Sequence, residues 1–487
     1  MTLEKDSPKN YKTRQIWIKK GHRLFPYFQE MTQNAKNMHN TTNFYIRQVY
    51  TGLTQDKPLQ PLQIEVLSTI EDNLFKINEV QTATFYKKNE KEQSKPEEKR
   101  KEVKCNLFEK PSQEQPYVNY NFLDALFKLI GQKDYRSLPA QSSQSVMKTV
   151  FQNWKSFYAS LKDYKLNPSK YKAVPKIPTY SRASKKEITF TNQNCAIKNN
   201  RFLKFPKTKE QLNIGKLGCA DGRLKQVRVI PKYNQYVVEL VMEVPSEALQ
   251  LEDNGRFTSI DLGIDNLATI VTNTGRRPVL VKGKNVKSVN QYFNKQKAHF
   301  LGVLRQGKQP KQGFYTSKQL ERLHQKRQLK IKDIFHKAST TIVKIALEEK
   351  TNTIIIGKNK DWKQQINIGK QNNQSFVSIP HNLLINMIDY KAAQYGINVV
   401  LTEESYTSKA SFLDGDDIPT YAESDTKKPF SGKRIKRGLY CSGRNWLINA
   451  DVNGAANILK KALYRLTKET DFNIETVNVW NPKSIVI

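Results

Sequence analysis

The sequence has few cysteines and no long hydrophobic run. Cys105, Cys195, Cys219 and Cys441 are scattered without a C-x-x-C pair, which argues against a disulfide framework and against a self-contained zinc site. No run of about 18 apolar residues is present, and the N-terminus lacks a signal-peptide core. We therefore expect no membrane partner and a location in the reducing cytoplasm. In a bacterium this location would be the nucleoid.

Several catalytic motifs are also missing. The six histidines form no H-E-x-x-H pair, and no G-x-x-x-x-G-K-[ST] loop is present, which excludes the common zinc protease and P-loop nucleotide sites. Positive charge, in contrast, is in large excess: 81 Lys and Arg stand against 45 Asp and Glu, a net charge of +36 over 487 residues. Such an excess indicates a polyanionic partner, most simply nucleic acid, bound in a salt-dependent way.

The pattern of apolar residues divides the chain into four parts. Residues 1–23 contain a short strand, and residues 24–165 carry mainly helical periodicity, interrupted at 87–115 by a polar segment predicted to be a flexible insertion. Residues 166–254 hold several short strands at even spacing, which favours a small β-barrel. From 255 to 487 strands and helices alternate, as is typical of an α/β domain.

Two acidic residues stand out within the α/β part. Asp261 ends an apolar strand just before a glycine-bearing turn, and Asp451 lies at the start of a helix. Two remote carboxylates of this kind can converge on Mg²⁺, which prefers oxygen ligands and completes its shell with substrate phosphate oxygens. The alternatives are a turn-stabilising role for Asp261 and a helix cap for Asp451.

A long basic helix, or helix pair, is predicted between residues 316 and 349, with apolar residues interleaved. It is either a solvated amphipathic helix or a nucleic-acid-binding face, and the net charge favours the second interpretation. The predicted binding residues on it are Lys318, Arg322, Lys326, Arg327 and Lys330.

Across most of its length the chain resembles the TnpB nucleases of insertion sequences, relatives of the small type V CRISPR effectors and of the Fanzor proteins. The stretches that carry the resemblance are KDYRSLPAQ (133–141), NWKSF (153–157), PTY (178–180), SIDLGID (259–265), HKAS (336–339), IGKNKDWK (356–363), YTSK (406–409) and NADVNGAANI (449–458).

The resemblance implies an RNA-guided DNA endonuclease that cuts beside a short target-adjacent motif. It implies an RNase H-like RuvC nuclease domain at 255–487, a helical recognition lobe at 24–165, and a wedge β-barrel built from 1–23 and 166–254. The implied partners are one guide RNA, held by a monomer, and double-stranded target DNA. The implied cofactor is a pair of Mg²⁺ ions, and single-stranded DNA is the form expected to be cut.

The chain departs from this family at the middle carboxylate. The Glu that in many members follows the apolar strand 353–356 is replaced by Gly357, and Asp361 beyond it is a weak substitute. Glu403 and Glu404 follow the later strand 397–402 and point to opposite faces if that strand continues. The resemblance to Fanzor proteins and some TnpB relatives, in which the Glu is relocated to this place, favours Glu404. The implied catalytic and metal-binding set is therefore Asp261, Glu404 and Asp451, with Glu403 as the fallback.

A second departure concerns zinc. Many relatives carry two cysteine pairs before the last aspartate, whereas Cys441 is the only cysteine in residues 410–447, so no structural zinc is expected. We expect this degenerate zinc-finger loop to be held instead by aromatic and apolar side chains: Phe412, Ile418, Tyr421, Phe430, Tyr440 and Trp446. The loop residues expected to face nucleic acid are Lys427, Lys428, Lys433, Arg434, Lys436 and Arg437.

Three other functions stay open at this point. Gly357 is compatible with a nuclease-inactive, RNA-guided DNA-binding repressor. A compact type V CRISPR effector would share the same sequence features and would differ in a neighbouring repeat array. A D-L-G-x-x-N turn, here 261–266, also occurs in sugar kinases of the actin-like fold, although such an enzyme would leave the charge unexplained.

Overall fold

In the computed structural model the chain forms two compact units, residues 1–246 and 247–487. The structure describes residues 10–215, 222–244, 251, 254–309, 312–359, 377–419, 429–467 and 476–487. The predictions for Asp361, Tyr421, Lys427 and Lys428 lie outside these residues. Within them, no helix is both long and apolar enough to cross a bilayer.

The first unit is a helical bundle joined to small antiparallel sheets. Its elements are β1 (Asn10–Ile18), α1 (Phe25–Thr54), α2 (Pro61–Gln93), α3 (Tyr120–Leu129), α4 (Lys133–Ser137), α5 (Ala140–Leu166), β2 (Ile188–Thr191), β3 (Ala196–Lys198), β4 (Phe202–Lys204), β5 (Gln211–Asn213), β6 (Arg223–Lys232) and β7 (Gln235–Val244).

The helices of this unit pack through apolar positions spaced three or four residues apart. In α1 these include Phe28, Met31, Ala35 and Met38, all at most 2% exposed. The largest buried side chain is Trp154 of α5, whose Nε1 donates a hydrogen bond to Asn43 Oδ1 at 2.8 Å. The indole N–H is thereby satisfied, so this ring belongs to the core.

The strands of the first unit form a four-stranded sheet in the order β1-β7-β6-β2 and a three-stranded sheet in the order β3-β4-β5. β1 pairs along its whole length with β7, more than 200 residues later, from Asn10 opposite Val244 to Ile18 opposite Tyr236. The described strands make two separate sheets without closing into a barrel, so the wedge barrel stays a prediction.

The segment predicted to be a flexible insertion, 87–115, begins inside a helix. α2 continues to Gln93, and the chain beyond it is fastened at Phe108. Asn78 exchanges two hydrogen bonds with the Phe108 backbone, at 2.8 and 2.9 Å, and the Phe108 ring stacks on Phe122 at 5.2 Å. The polar composition concealed this single aromatic anchor, and the predicted boundary at residue 87 is wrong.

The second unit is built around a mixed sheet with helices on it. Its elements are β8 (Phe257–Asp261), β9 (Asn266–Thr272), β10 (Val279–Lys282), α6 (Lys284–Leu304), α7 (Lys318–Glu348), β11 (Thr353–Gly357), α8 (His381–Ala393), β12 (Asn398–Thr402), β13 (Lys433–Lys436), β14 (Leu439–Cys441), β15 (Leu447–Asn449), α9 (Ala450–Thr467) and β16 (Lys483–Ile485).

The main sheet of this unit has the order β12-β11-β8-β9-β10-β16. β8, β9 and β10 run antiparallel in succession, while β11 is parallel to both β8 and β12. The residues of β8, β9 and β11 are almost all buried, since they pack between two apolar clusters. A small sheet in the order β13-β14-β15 leads directly into α9.

Candidate active site

Three neighbouring strand ends meet at one edge of the main sheet. Asp261 is the last residue of β8, Gly357 is the last residue of β11, and Glu404 comes two residues after β12. Because these three strands are parallel and β11 lies in the middle, their carboxyl ends share an edge. Side chains that follow the strands are therefore brought together, as is common for sites in α/β sheets.

Gly357 leaves the space that Glu404 occupies. A Cβ atom at position 357 would lie 2.8 Å from Glu404 Oε2 and 2.5 Å from Ile458 Cδ1, both too close for an unstrained contact. The carboxylate of Glu404 thus lies over the end of β11, on the way from β12 towards β8. The space that a side chain at position 357 would need is thus occupied by the carboxylate of Glu404, which follows the neighbouring strand β12.

Glu403 and Glu404 have different surroundings. Glu403 forms an ion pair with Lys461, which is only 4% exposed, and accepts a hydrogen bond from the Ser405 N–H at 2.8 Å. Although burial opposes it, hydrogen bonding from Lys461 and Ser405 lowers the pKa of Glu403. For Glu404, burial and then the charges of Asp261 and Glu403 raise the pKa to about 8. The structure therefore directs Glu404 towards Asp261 and Glu403 towards Lys461.

Asp261 lies against the first turns of α9. A Cβ atom at Gly454 would be 2.9 Å from Asp261 Oδ2, so the glycine allows this close approach. Burial and the neighbouring Asp451 charge raise the pKa of Asp261 to about 7, against an opposing effect of Arg434. Its carboxylate accepts no hydrogen bond from the described residues, which disfavours the turn-stabilising role.

Asp451 does not cap its own helix. Asn449 does so, since its Oδ1 accepts from the N–H groups of Asp451 at 3.0 Å and Val452 at 3.2 Å. The Asp451 carboxylate is oriented by Asn266, whose Nδ2 donates to Oδ2 at 2.7 Å, while Arg434 approaches Oδ1 at 3.4 Å. The Asp451 carboxylate thus lies in the same cleft as Asp261.

These carboxylates fit a divalent cation by their chemistry. In the part of the chain that the structure describes, no three acidic, histidine or cysteine side chains are already closed into a metal-binding cluster. Asp261 and Glu404 nevertheless repel each other, and the carboxylate of Glu404, like that of Asp261, has no hydrogen-bond donor among the described residues. A hard cation between such groups would favour their charged forms.

The carboxylates Asp261 and Asp451 line a cleft of about 700 Å³. Asp265 and five basic side chains form the rest of its charged lining: Lys282, Lys284, Lys287, Arg434 and Arg437. Lys287 and Arg437 both pair with Asp265, and Lys282 donates to Asn266 Oδ1 at 3.1 Å. Acidic groups beside basic ones suit a phosphodiester, whose scissile phosphate needs a cation and whose flanking phosphates need basic contacts.

The predicted nucleic-acid-binding residues fall into two groups. On α7, Lys318, Arg322, Lys326 and Lys330 are exposed, and on the small sheet so are Lys433, Arg434, Lys436 and Arg437. Arg327 differs, because it donates to Asn290 Oδ1 at 2.8 Å and to the Ser378 carbonyl at 2.6 Å, and its guanidinium lies 4.8 Å from the centre of the Phe293 ring. These internal contacts make Arg327 a packing residue of α7, and its binding of nucleic acid stays a prediction.

Two asparagines of α9 hold the segment that follows Glu404. Asn453 donates to the Ala410 carbonyl at 2.8 Å and accepts from the Phe412 N–H at 3.0 Å. Asn457 donates to the carbonyls of Thr407 at 2.9 Å and Ala410 at 2.7 Å. Both side chains therefore fix the backbone of residues 407–412 against α9.

The described part of the loop 410–447 is held by aspartates as well as by aromatic rings. Phe412 and Tyr440 are fully buried, as expected, whereas Trp446 is 49% exposed. Asp414 accepts from the Gly443 N–H at 2.6 Å, and Asp416 accepts from the N–H groups of Ser411 at 2.7 Å and Ser431 at 3.1 Å. The sequence reasoning missed these aspartates, although their place in the loop without cysteine pairs was a usable signal.

Lys461 and Asn359 were also missed. Lys461 donates to the carbonyls of Ser405 and Pro419 at 3.0 and 3.1 Å in addition to its ion pair. Asn359 Oδ1 accepts from the Glu404 N–H at 2.9 Å and so fixes the backbone that carries the carboxylate. The only sequence signal for Lys461 is that it is a lysine among the apolar residues of α9. No sequence signal marks Asn359.

Comparison with known proteins gives two family matches. Residues 235–363 match the OrfB_IS605 family, described as a probable transposase, and residues 381–458 match the Cas12f1-like TNB domain. Asp261 and Gly357 lie in the first matched segment, and Glu404 and Asp451 lie in the second.

Individual relatives are more distant. The TnpB-like protein ORF457 of Acidianus two-tailed virus is 27% identical over 215 residues, which are 43% of this chain and 42% of the viral protein. A Cas12f1 chain solved with sgRNA and target DNA is 13% identical at a TM-score of 0.44, covering 92% of this chain and 98% of that one. The mini RNA-guided endonuclease Cas_phi3 is 9% identical at a TM-score of 0.36, covering 71% and 86%. Because these structural likenesses are distant, the assignment rests on the sequence matches, which support a TnpB family protein.

Proposed function

We propose that this chain is an RNA-guided DNA endonuclease that cleaves target DNA beside a short adjacent motif. The proposal is supported by two observations: Asp261 and Asp451 line one basic cleft, and the charge of Asp261 acts on the buried Glu404 carboxylate, in a protein with a net charge of +36. The mixed sheet with carboxylates at its edge supports a RuvC-like, RNase H-type core. The similarity to TnpB-like proteins supports a guide RNA and a double-stranded DNA target as the partners.

Each residue of the site has a chemical task. Asp261, Glu404 and Asp451 would hold the two Mg²⁺ ions, which would supply a metal-activated water and stabilise the leaving 3′ oxygen. Asn266 orients Asp451, and Asn359 holds the backbone of Glu404. The lysines and arginines of the cleft bind phosphates on either side of the scissile bond.

The alternative of a nuclease-inactive repressor was raised by Gly357. The position of Glu404 favours the nuclease, since its carboxylate lies beside the site of the missing side chain. A sugar-kinase function leaves the charge excess without a role, and a CRISPR effector differs in its genomic neighbourhood rather than in its chemistry.

The test is guided plasmid cleavage with the full chain. The RNA that copurifies with the protein is sequenced, and its guide segment sets the target. We expect Mg²⁺-dependent cutting by the wild type and loss of cutting, with retained target binding, in Asp261→Asn, Glu404→Gln and Asp451→Asn.

Glu403→Gln is the matched control, because it keeps an oxygen for Lys461 and changes a neighbouring carboxylate outside the cleft. We expect it to cut like the wild type. A wild-type protein that binds its guided target tightly but never cuts with Mg²⁺ would establish the repressor instead.

A further inference from the structure

Two tryptophans from remote parts of the second unit form an exposed pair. Trp446 is 49% exposed and Trp480 is 41% exposed, and their ring centroids are 5.7 Å apart with an angle of 62° between the planes. Tryptophan is highly buried on average, so a partly exposed pair is unusual. Exposed aromatic surface of this kind marks a place where a ligand with an apolar face can bind.

The backbone holds both rings in place. Trp446 closes a tight turn in which its N–H donates to Ser442 Oγ at 3.1 Å and its carbonyl accepts from the Ser442 N–H at 2.9 Å. Trp480 follows Val479, which is 1% exposed, and its N–H donates to Asn478 Oδ1 at 2.9 Å. Rings presented by ordered backbone lose little freedom when a ligand binds.

The charges around the pair are mainly positive. Arg444, two residues before Trp446, has a side chain that is 70% exposed and stands 3.9 Å from Asp414. Next to Trp480, Arg277 donates to the Asn481 carbonyl at 2.7 and 2.9 Å, and Lys483 is exposed. Two exposed aromatic rings with basic residues near each of them complement an anionic chain that carries flat bases.

The pair is connected to the candidate active site. Trp446 immediately precedes β15, which leads into α9, so Asp451 is five residues further on and at most about 17 Å away along the chain. The same small sheet carries Arg434, which contacts Asp451, and the chain after β13 carries Arg437, which contacts Asp265. A single DNA strand bound in the cleft would therefore reach the two tryptophans within a few nucleotides.

We propose that Trp446 and Trp480 form a stacking platform for unpaired bases of the DNA strand that enters the cleft for cutting. This inference deepens the proposed function and rests on it. The platform binds bases through their faces without regard to sequence, while Arg444, Lys483 and Arg277 bind the phosphates. It holds the single strand beside the carboxylates, so that the scissile phosphate stays in register with them.

The test compares two ligands of equal length on the full chain with its copurified RNA: a fluorescent oligothymidylate and the corresponding abasic oligomer. The wild type is expected to bind the oligothymidylate more tightly. In Trp446→Ala/Trp480→Ala the affinity for the oligothymidylate should fall about tenfold for each ring removed, while the affinity for the abasic oligomer stays the same. Trp446→Phe/Trp480→Phe should recover most of the preference. Tyr395→Ala, which removes a 48% exposed ring after α8, is the matched control and should change neither affinity.

The outcomes separate this inference from the proposed function. If the double alanine variant retains the wild-type preference for bases, or the wild type shows none, the platform is refuted while guided cleavage still supports the nuclease. If the wild type binds no single strand and performs no guided cleavage, both are refuted.

Discussion

A single methyl group added at Gly357 tests how Glu404 is placed. In Gly357→Ala the new Cβ would lie 2.5 Å from Ile458 Cδ1 and 2.8 Å from Glu404 Oε2, whereas non-bonded carbon atoms prefer about 3.5–4.0 Å. Overpacking of this kind costs about 1–3 kcal/mol of unfolding free energy. The Glu404 carboxylate must also move, and a misplacement of about 1 Å can lower a catalytic rate about 100-fold. We therefore expect a modest loss of stability and a large loss of guided cleavage.

A second substitution separates the two effects. Ile458→Val removes Cδ1, the nearest atom to the new methyl group, at a cost of about 0.5–1.5 kcal/mol on its own. In Gly357→Ala/Ile458→Val the packing conflict is relieved but the contact with Glu404 persists. Stability from chemical denaturation should rise relative to Gly357→Ala, and the cleavage rate of the same preparation should stay low. Recovery of cleavage in step with stability would refute the reasoning, because the loss would then have come from folding alone.

Three further predictions concern the supports of the site and of the helical unit. Gly454→Ala places a methyl group 2.9 Å from Asp261 Oδ2, so the cleavage rate should fall at least about tenfold. The melting temperature should hold or rise, because alanine favours the helix, and an unchanged cleavage rate would contradict the prediction. Asp414→Ala leaves the Gly443 N–H without its acceptor and should lower the unfolding free energy by about 1–3 kcal/mol, whereas a zinc chelator should leave wild-type stability unchanged. Trp154→Phe leaves the buried Asn43 oxygen unpaired and should cost about 1–3 kcal/mol in denaturant titrations; a neutral result would mean that this hydrogen bond contributes nothing.

The elements with strong periodicity could be predicted from the sequence. α1, α5, α7 and β7 lie where apolar spacing placed them, because their burial patterns repeat over many residues. The segment 87–115 could not be predicted in the same way. Its attachment includes an ion pair of Lys110 with Glu71 and one aromatic residue, Phe108, that contacts Asn78 and Phe122, and such contacts leave no local pattern.

The candidate site also contains residues that the sequence predicts and residues that only the structure distinguishes. Asp261 and Asp451 stand out in the sequence because each is an acidic residue at the end of an apolar element. The distinction between Glu403 and Glu404 depends on Lys461, which is 58 residues away, and on the strand order that puts Gly357 between Glu404 and Asp261. Neighbouring glutamates look alike in a sequence, so only the packed sheet separates them.

The most direct test of the shared cation site is a crystal of the full chain soaked in Mn²⁺, a divalent ion with the same preference for carboxylates that is visible by its anomalous scattering. We predict anomalous density in contact with Asp261, Glu404 and Asp451, and its loss in Glu404→Gln but not in Glu403→Gln. Density bound at Glu403 instead, or no density beside Asp261 and Asp451 at saturating Mn²⁺, would contradict the account.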